Sequence, residues 1–401
     1  MKLKIGIGIT LFANIFFAIS QWIVIAGLNY AGNTDVVGQY AYSLALAGVF
    51  LMFGQFGIRP YLLSRTISEQ EEPYVIHTRL LTSILALIFL CTYSYFFVDV
   101  VYFWLILVLG VAKLVENISD ICQGYHQKHF SIVEIAKSRI LRALLTPILF
   151  FGFYHFSNNI ALAGVGVLLS MLTTFYIVDK KVFSAYKIAP MISIELSIIW
   201  QIARQSFPMG MASMLVILVT SLPLFILKSL HSDQDIGFYA SVFYFVTAGS
   251  LILQSAIQVI SPILTKSIKS KSFSTLHLLI KRSYLMAAAY GLFGVVMAYA
   301  FGEFVLTLFY GNSFSGRGQL LLVASLINFS LAFQAVGGVI LTSFGIFKFQ
   351  MYVMAITLPI CFFSSHYLIS LYGIEGALYT GGLSALIVAV AFFFKILKEL
   401  E

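Results

Sequence analysis

Charge is scarce in this chain. Only 10% of its 401 residues are Asp, Glu, Lys or Arg and 60% are hydrophobic, whereas an ordinary soluble domain carries roughly 25% charged residues. No single core in water uses so many large apolar side chains, which excludes a soluble globular domain. Apolar runs of about 20 residues, rising about 1.5 Å each, instead match a hydrocarbon layer of about 30 Å. The runs are continuous rather than alternating, and nothing in hydrocarbon satisfies an open strand edge, so helices are expected and not a barrel.

Catalytic signatures are missing too. There is no Gly-Lys dipeptide, hence no phosphate-cradling loop of a nucleotide-hydrolysing pump, and HExxH, GxSxG and GxGxxG are absent. No enzyme activity and no cofactor are expected; work must come from an ion gradient, a partner or the substrate's own gradient. The three cysteines, Cys91, Cys122 and Cys361, fall inside apolar runs and form no CxxC or metal-ligand pattern. They read as packing residues, and no metal site is expected. His126 and His129 lie at a span boundary and need no metal.

What charge there is has a direction. Twelve spans are expected at about 5–28, 37–58, 80–98, 101–122, 140–156, 160–178, 207–229, 238–260, 284–309, 319–343, 350–371 and 377–396. Of the 24 Lys and Arg, 21 fall on one side of that count, from Lys2 and Lys4 through Arg59, Arg65 and Arg79 to Lys395 and Lys398. Only Lys228 and Arg317 fall opposite, and Lys113 lies within a span. The asymmetry places both termini in the cytoplasm, and the first span reads as retained rather than cleaved. The net charge of +8 is therefore a topology signal, and no nucleic acid partner is expected.

Asp35-Val36-Val37-Gly38-Gln39-Tyr40-Ala41 opens one span, and Gly237-Phe238-Tyr239-Ala240 opens another. A shift of 199 residues overlays Gly38, Tyr40, Ala41 and Gln55 on Gly237, Tyr239, Ala240 and Gln254 without a gap. Six spans per half is even, so both copies enter from the same side, related by an axis along the membrane normal. The expected fold is an all-α integral membrane protein of twelve transmembrane helices in two pseudo-symmetric six-helix lobes. Residues 1–190 form the N-terminal lobe and 191–401 the C-terminal lobe. Ile192, Leu196, Ile199 and Ile202, at helical spacing, mark an interfacial linking helix at about 191–206.

Ionisable groups inside spans are costly and point to function. Lys113, Glu116, Asn117 and Asp120 fall near 0°, 300°, 40° and 340° on a helical wheel, a stripe about 100° wide. The stripe either lines a cavity or neutralises itself through a Lys113–Glu116 pair, with Asp120 reaching water. Arg139 and Arg142 enter the next span one turn apart, ahead of Thr146 and the kinking Pro147. Arginine binds phosphate bidentately, which suits a diphosphate; topology signal is the competing reading, as it is for Arg59 and Arg204. Asn14 and Gln21, seven residues apart, share a face, and Gln55 and Gln254 occupy equivalent repeat positions. All four suit sugar hydroxyls, and equally suit hydrogen bonds between helices. Lys228 either belongs to an exit side or snorkels outward, and His366 is either a proton-coupling group or a hydrogen-bonded histidine.

Taken together, the pattern resembles the bacterial polysaccharide flippases of the O-antigen and capsule repeat-unit type. These belong to the multidrug/oligosaccharidyl-lipid/polysaccharide exporter superfamily. The resemblance rests on Asp35 to Ala41 with Phe56-Gly57-Ile58-Arg59, and on Glu116-Asn117-Ile118-Ser119-Asp120 with Gly124, Gln127 and Ser138-Arg139-Ile140-Leu141-Arg142. Gly237 to Ala240, Ser261-Pro262-Ile263-Leu264, Phe301-Gly302-Glu303 and Leu308-Phe309-Tyr310-Gly311 complete it. It implies a multidrug and toxin extrusion-like fold that moves an undecaprenyl-diphosphate-linked oligosaccharide from the cytoplasmic to the outer leaflet of the inner membrane by alternating access. The implied partners are that lipid, the bilayer, a proton or sodium ion, and glycan polymerase and chain-length proteins. Arg142 and Lys113 would contact the diphosphate, with Glu116 and Asp120 holding Lys113 or exchanging the ion. Many relatives carry a basic residue after the proline near the end of the seventh span; here Pro223 is followed by Leu224, and Lys228 is the nearest positive charge.

Two rival readings remain at this level. A cation-coupled multidrug exporter of the same superfamily favours an anionic cavity, whereas the deepest charge here is a lysine. A glycan polymerase or ligase needs a sizeable outer loop, and the opposite-side loops here are about ten residues or shorter.

Overall fold

The computed structural model describes residues 2–63, 67–68, 71–129, 131–186, 195–270 and 272–400. Arg65, Lys187, Ile192 and Lys271 lie outside the described residues, as do the side chains of Lys2, Lys4, Gln254, Ser261, Pro262, Ile263 and Lys269. Among the described residues there are fourteen α-helices and no strand. They are α1 (Lys2–Tyr30), α2 (Thr34–Gln55), α3 (Ile58–Leu63), α4 (Val75–Phe97), α5 (Val100–Lys128), α6 (Ile132–Ser157) and α7 (Ile160–Thr174). After these come α8 (Lys181–Ala185), α9 (Leu196–Leu230), α10 (Asp233–Lys269), α11 (Phe273–Tyr310), α12 (Gly318–Phe344), α13 (Phe347–Tyr372) and α14 (Ile374–Leu400). Eleven stretches of the described helices are long and apolar enough to cross a membrane, and the 37-residue α10 is a twelfth long helix. Large apolar side chains such as Phe12, Phe89, Leu285, Phe293, Phe304 and Phe363 are exposed, as helices solvated by lipid require. The protein is a multi-pass membrane protein.

Short polar loops suffice because they cap the helices they join. Ser232 Oγ accepts from Asp235 N at 3.3 Å, and the Asp235 carboxylate accepts from Ser232 N at 3.4 Å, a capping box that starts α10. Asn159 Oδ1 accepts from Ala161 N and Leu162 N at 2.8 and 3.4 Å to start α7. A different break separates α2 from α3, where Phe56 and Gly57 adopt φ of 48° and 67°. That left-handed pair breaks the helix, and the short α3 that follows packs on α5.

Chain contacts divide the protein into two compact units, Met1–Val24 with Ser43–Ile217 and Ile25–Tyr42 with Leu218–Glu401. In the first, α5 packs against α4 and α7, α6 against α7, and α3 against α5. In the second, α12 packs against α10, α11 and α14, and α13 against α14.

The second unit also contains the sequence repeat in physical form. A Cβ built on Gly38 would overlap the carbonyl of Asp233, and one built on Gly237 would overlap the carbonyl of Thr34. Thr34 and Asp233 are themselves related by the same 199-residue shift. The first turns of α2 and α10 therefore cross in a reciprocal contact, each glycine admitting the other helix's backbone. The flanking Tyr40, Ala41, Tyr239 and Ala240 are all buried.

The linking helix expected at about 191–206 is not a separate element in its described part: residues 196–206 are the first turns of α9. Ile199 and Ile202 are buried in a core with Ile58, Leu62, Ile121 and Tyr125, so these two positions of the apolar stripe pack on protein. Leu196, of the same stripe, and Trp200 are exposed.

Candidate functional site

The charged side chains of the first unit gather where α3, α4, α5 and α6 present their polar positions. Arg59, carried by α3, donates from Nη1 to Asp120 Oδ1 at 2.5 Å and from Nη2 to Gln127 Oε1 at 2.8 Å, both on α5. Gly124, one turn from each on α5, makes the room: a Cβ there would lie 3.2 Å from Arg59 Cγ. Arg79 of α4 reaches the other oxygen of the same carboxylate, Nη2 to Asp120 Oδ2, at 3.2 Å. Asp120 thus holds two guanidinium groups.

A second group lies further along α5. Lys113 Nζ meets Glu116 Oε2 at 2.8 Å, and Arg142 Nη1 of α6 lies 3.7 Å from Glu116 Oε1. Arg142 Nη2 is also 3.7 Å from Asp179 Oδ2, a carboxylate placed by a π-helical turn over Phe175–Asp179 and only 1% exposed. Arg139 donates to Asn14 Oδ1 of α1 and lies within electrostatic reach of Arg59, Asp120, Arg142 and Glu116. Five basic side chains, Arg59, Arg79, Lys113, Arg139 and Arg142, therefore face three acidic ones, Glu116, Asp120 and Asp179, and the cluster carries a net positive charge. Charges so placed are functional candidates in a membrane protein.

The wheel stripe on α5 divides in space. Asp120, which the resemblance implies would hold Lys113 or exchange an ion, pairs with Arg59 and Arg79 instead; among the described residues Glu116 is the acid that holds Lys113, and it shares itself with Arg142. The i, i+3 pairing of Lys113 and Glu116 is present as the sequence allowed. Asn117 is 2% exposed and knits helices together, donating to Leu51 O at 2.8 Å and Ser83 Oγ at 3.3 Å while accepting from Gln55 Nε2 at 3.2 Å. Asn117 is thus committed to its neighbours.

Access separates the bases. Lys113 is 32% exposed and Arg59 19%, while Arg142 is only 5% exposed. A hollow of about 220 Å³ is lined by Gln55, Arg59, Arg79, Asp120, Gly210 and Ser213, among others. Arg79 lines it although its side chain is 1% exposed, and its Nε and Nη1 have no hydrogen-bond partner among the described residues.

The remaining sequence candidates lie apart from this cluster. Arg204 is exposed on α9 and Gln21 is half-buried on α1. Lys228 belongs to the second unit, 2.6 Å from Asp233 Oδ1, and Oδ2 of the same carboxylate accepts from Gln39 Nε2 at 3.3 Å. The other opposite-side base, Arg317, lies 3.7 Å above the Phe238 ring. Gln254's side chain is outside the described residues. Among the described residues, no group of His, Cys, Asp and Glu is arranged to hold a metal ion.

Sequence reasoning passed over Arg79 and Asp179. Arg79 read as topology signal because the third span was placed from about 80, whereas α4 begins at Val75 and carries Arg79 a full turn inside. Asp179 precedes Lys180 and Lys181 and so resembled a loop; only the π turn buries it.

Comparison with known proteins agrees with this architecture. Residues 4–268 match the family model described as polysaccharide biosynthesis protein. The chain is 25% identical over 388 residues to the capsular polysaccharide biosynthesis protein CapF of Staphylococcus aureus, covering 95% of this chain and 96% of that protein. Its fold is similar to an inward-facing multidrug resistance MATE family transporter of the MOP superfamily, with a TM-score of 0.69 and 15% identity over 96% of this chain and 94% of that one. It is similar too to a MOP superfamily transporter from Pyrococcus furiosus, with a TM-score of 0.66 and 14% identity over 98% and 95% of the two chains. The structure of that transporter was described as having a binding pocket of reversed polarity. The helices thus follow the MATE-type fold, and with the family match covering well over half of its length, the chain belongs to the polysaccharide biosynthesis protein family.

Proposed function

We propose that this protein is a flippase that carries an undecaprenyl-diphosphate-linked oligosaccharide across the inner membrane by alternating access. The direction is from the cytoplasmic to the outer leaflet, with both termini cytoplasmic and the two repeat copies at the head of two six-helix lobes. The observation that carries the reading is the net positive cluster of α3 to α6, in a chain that otherwise has little charge. A diphosphate is the anion such a cluster suits, because guanidinium groups take phosphate oxygens in pairs. The membership in a polysaccharide biosynthesis family supports a glycan as the rest of the substrate. Keeping the lipid tail in the bilayer while the head crosses a polar path avoids placing sugars in hydrocarbon. An exporter of cationic drugs would call for the opposite polarity.

The exposures support a division of roles. Lys113 and Arg59 are open enough to meet the diphosphate directly, and Arg142 holds Glu116 and Asp179 in place. Lys113→Ala is expected to reduce surface glycan export at least tenfold in a deletion strain with protein level unchanged, and to leave lipid-linked oligosaccharide accumulated on the cytoplasmic side. Arg142→Ala is expected to lower export and protein level together, since it leaves the buried Asp179 unpaired. Normal export in both Lys113→Ala and Arg59→Gln would overturn the site assignment.

A further inference from the structure

An apolar groove of about 440 Å³ runs between α2 and α4, lined by Phe50, Phe53, Phe56, Leu85, Ala86 and Phe89. The helical spacings explain it: residues 50 and 53 on α2, and 82, 85, 86 and 89 on α4, each form one face. Thr82 also lines the groove, but its hydroxyl is spent on the carbonyls of Gly54 and Thr78 at 2.7 and 3.0 Å. Phe53, Leu85 and Phe89 are 40, 47 and 66% exposed, so the groove opens outward along its length.

What sets this groove apart from other lipid-facing surface is where it ends. Phe56 is its last lining residue along the chain on that side, and the residues on either side of Phe56, Gln55 and Gly57, line the hollow that holds Arg59, Arg79 and Asp120. The hollow contains two guanidinium groups against one carboxylate, and the buried Arg79 keeps two nitrogens without a partner among the described residues. Buried donors are paired in nearly all proteins, so a guanidinium left open beside a hollow marks a place for an anion. From Phe50 to Phe56 is six residues of chain, roughly 9 Å at helical rise. An apolar channel of that length ending at a cationic hollow has the form of an anionic lipid with one linear tail.

We propose that the groove between α2 and α4 is the docking site for the polyprenyl chain of a polyprenyl diphosphate, whose diphosphate takes the open donors of Arg79, beside Arg59, in the adjoining hollow. This rests on the flippase reading and names where the lipid engages the protein. Before binding, Asp120 holds both arginines; a diphosphate brings enough negative charge to share them, so the lipid loosens the link between α3, α4 and α5. The tail is recognised by its linear, methyl-branched bulk against aromatic rings, a shape that two acyl chains on one glycerol do not fit.

The test uses the full-length protein in phosphatidylcholine nanodiscs, with p-benzoylphenylalanine placed in turn at Phe53, at Phe89 and at the 66% exposed Phe293 of α11, which does not line the groove. The probe is undecaprenyl diphosphate bearing no sugar. Photo-adducts are expected at Phe53 and Phe89 at least tenfold above Phe293, unchanged by excess phosphatidylglycerol. Arg79→Gln and the groove-filling Ala86→Trp are each expected to cut the Phe53 adduct at least fivefold. Equal labelling at all three positions, or loss of the adduct to phosphatidylglycerol, would overturn the groove assignment, as would free pyrophosphate binding Arg79 with no adduct at Phe53. Because the probe carries no glycan, adducts in a protein that fails to export glycan leave the groove standing and defeat the flippase reading. Glycan export that survives Ala86→Trp without adducts does the reverse.

Discussion

Asp120→Asn should give a protein that exports no glycan and unfolds at a markedly lower temperature, although the side chain keeps its shape. The carboxylate is the single counter-charge for Arg59 and Arg79 among the ion pairs of the described residues. Arg79 is 1% exposed, and a guanidinium is charged at any relevant pH. Neutralising one partner of a buried pair leaves the other charge uncompensated, which costs about 3–5 kcal/mol when both are fully buried. Asp120 is 24% exposed, so the lower end of that range applies, about 3 kcal/mol. Thermal unfolding of the detergent-solubilised protein, followed by size-exclusion chromatography, measures it. The double variant Asp120→Leu with Arg79→Met removes the carboxylate and the buried guanidinium, leaving the part-exposed Arg59 to reach solvent, and is expected to recover part of the stability while export stays lost. If Asp120→Asn unfolds at the wild-type temperature, the carboxylate does not hold the arginines and the geometry of the hollow is misassigned.

Leucine at Gly38 or Gly237 should prevent accumulation of folded protein altogether, and alanine at either should destabilise it by about 1–3 kcal/mol, the usual cost of forcing added atoms into a packed contact. At both positions the new Cβ would meet a backbone carbonyl of the other helix, of Asp233 and of Thr34 respectively, and a carbonyl in a helix cannot rotate away. Gly48, on the same α2, is the control: nothing lies within 4 Å of its Cβ position. Gly48→Ala should be neutral or stabilising, since alanine is favoured over glycine in a helix by up to about 1 kcal/mol. Because the contact is reciprocal, Gly38→Ala and Gly237→Ala should be strongly non-additive when combined. Full additivity, or a Gly38→Ala variant as stable as Gly48→Ala, would count against the crossing.

That crossing also measures how far sequence reading reaches. The 199-residue shift was visible as matching letters at Gly38, Tyr40 and Ala41. Periodicity says which positions resemble each other, and only the fold says that the two copies meet each other across a close approach of α2 and α10.

The site is divided in the same way. Composition and the placement of Lys and Arg determined by themselves that this is a helical membrane protein, and they located its intramembrane charges at Lys113, Glu116, Asp120, Arg139 and Arg142. Those are one-dimensional properties: hydropathy summed along a helix and a charge count on either side of the bilayer. Which acid holds which base was decided only in three dimensions. The helical wheel put Asp120 on a stripe with Lys113, yet Asp120 faces Arg59 and Arg79, because the Phe56–Gly57 turn brings α3 onto α5 and α4 carries Arg79 a turn into the bundle. A wheel fixes directions within one helix and carries no information on the neighbours. For the same reason Arg142 lies enclosed between two carboxylates, and Arg79, with two nitrogens left open among the described residues, is the arginine that lines the hollow. Charge pairing in hydrocarbon depends on separations of a few ångströms between helices, and those separations are set by packing.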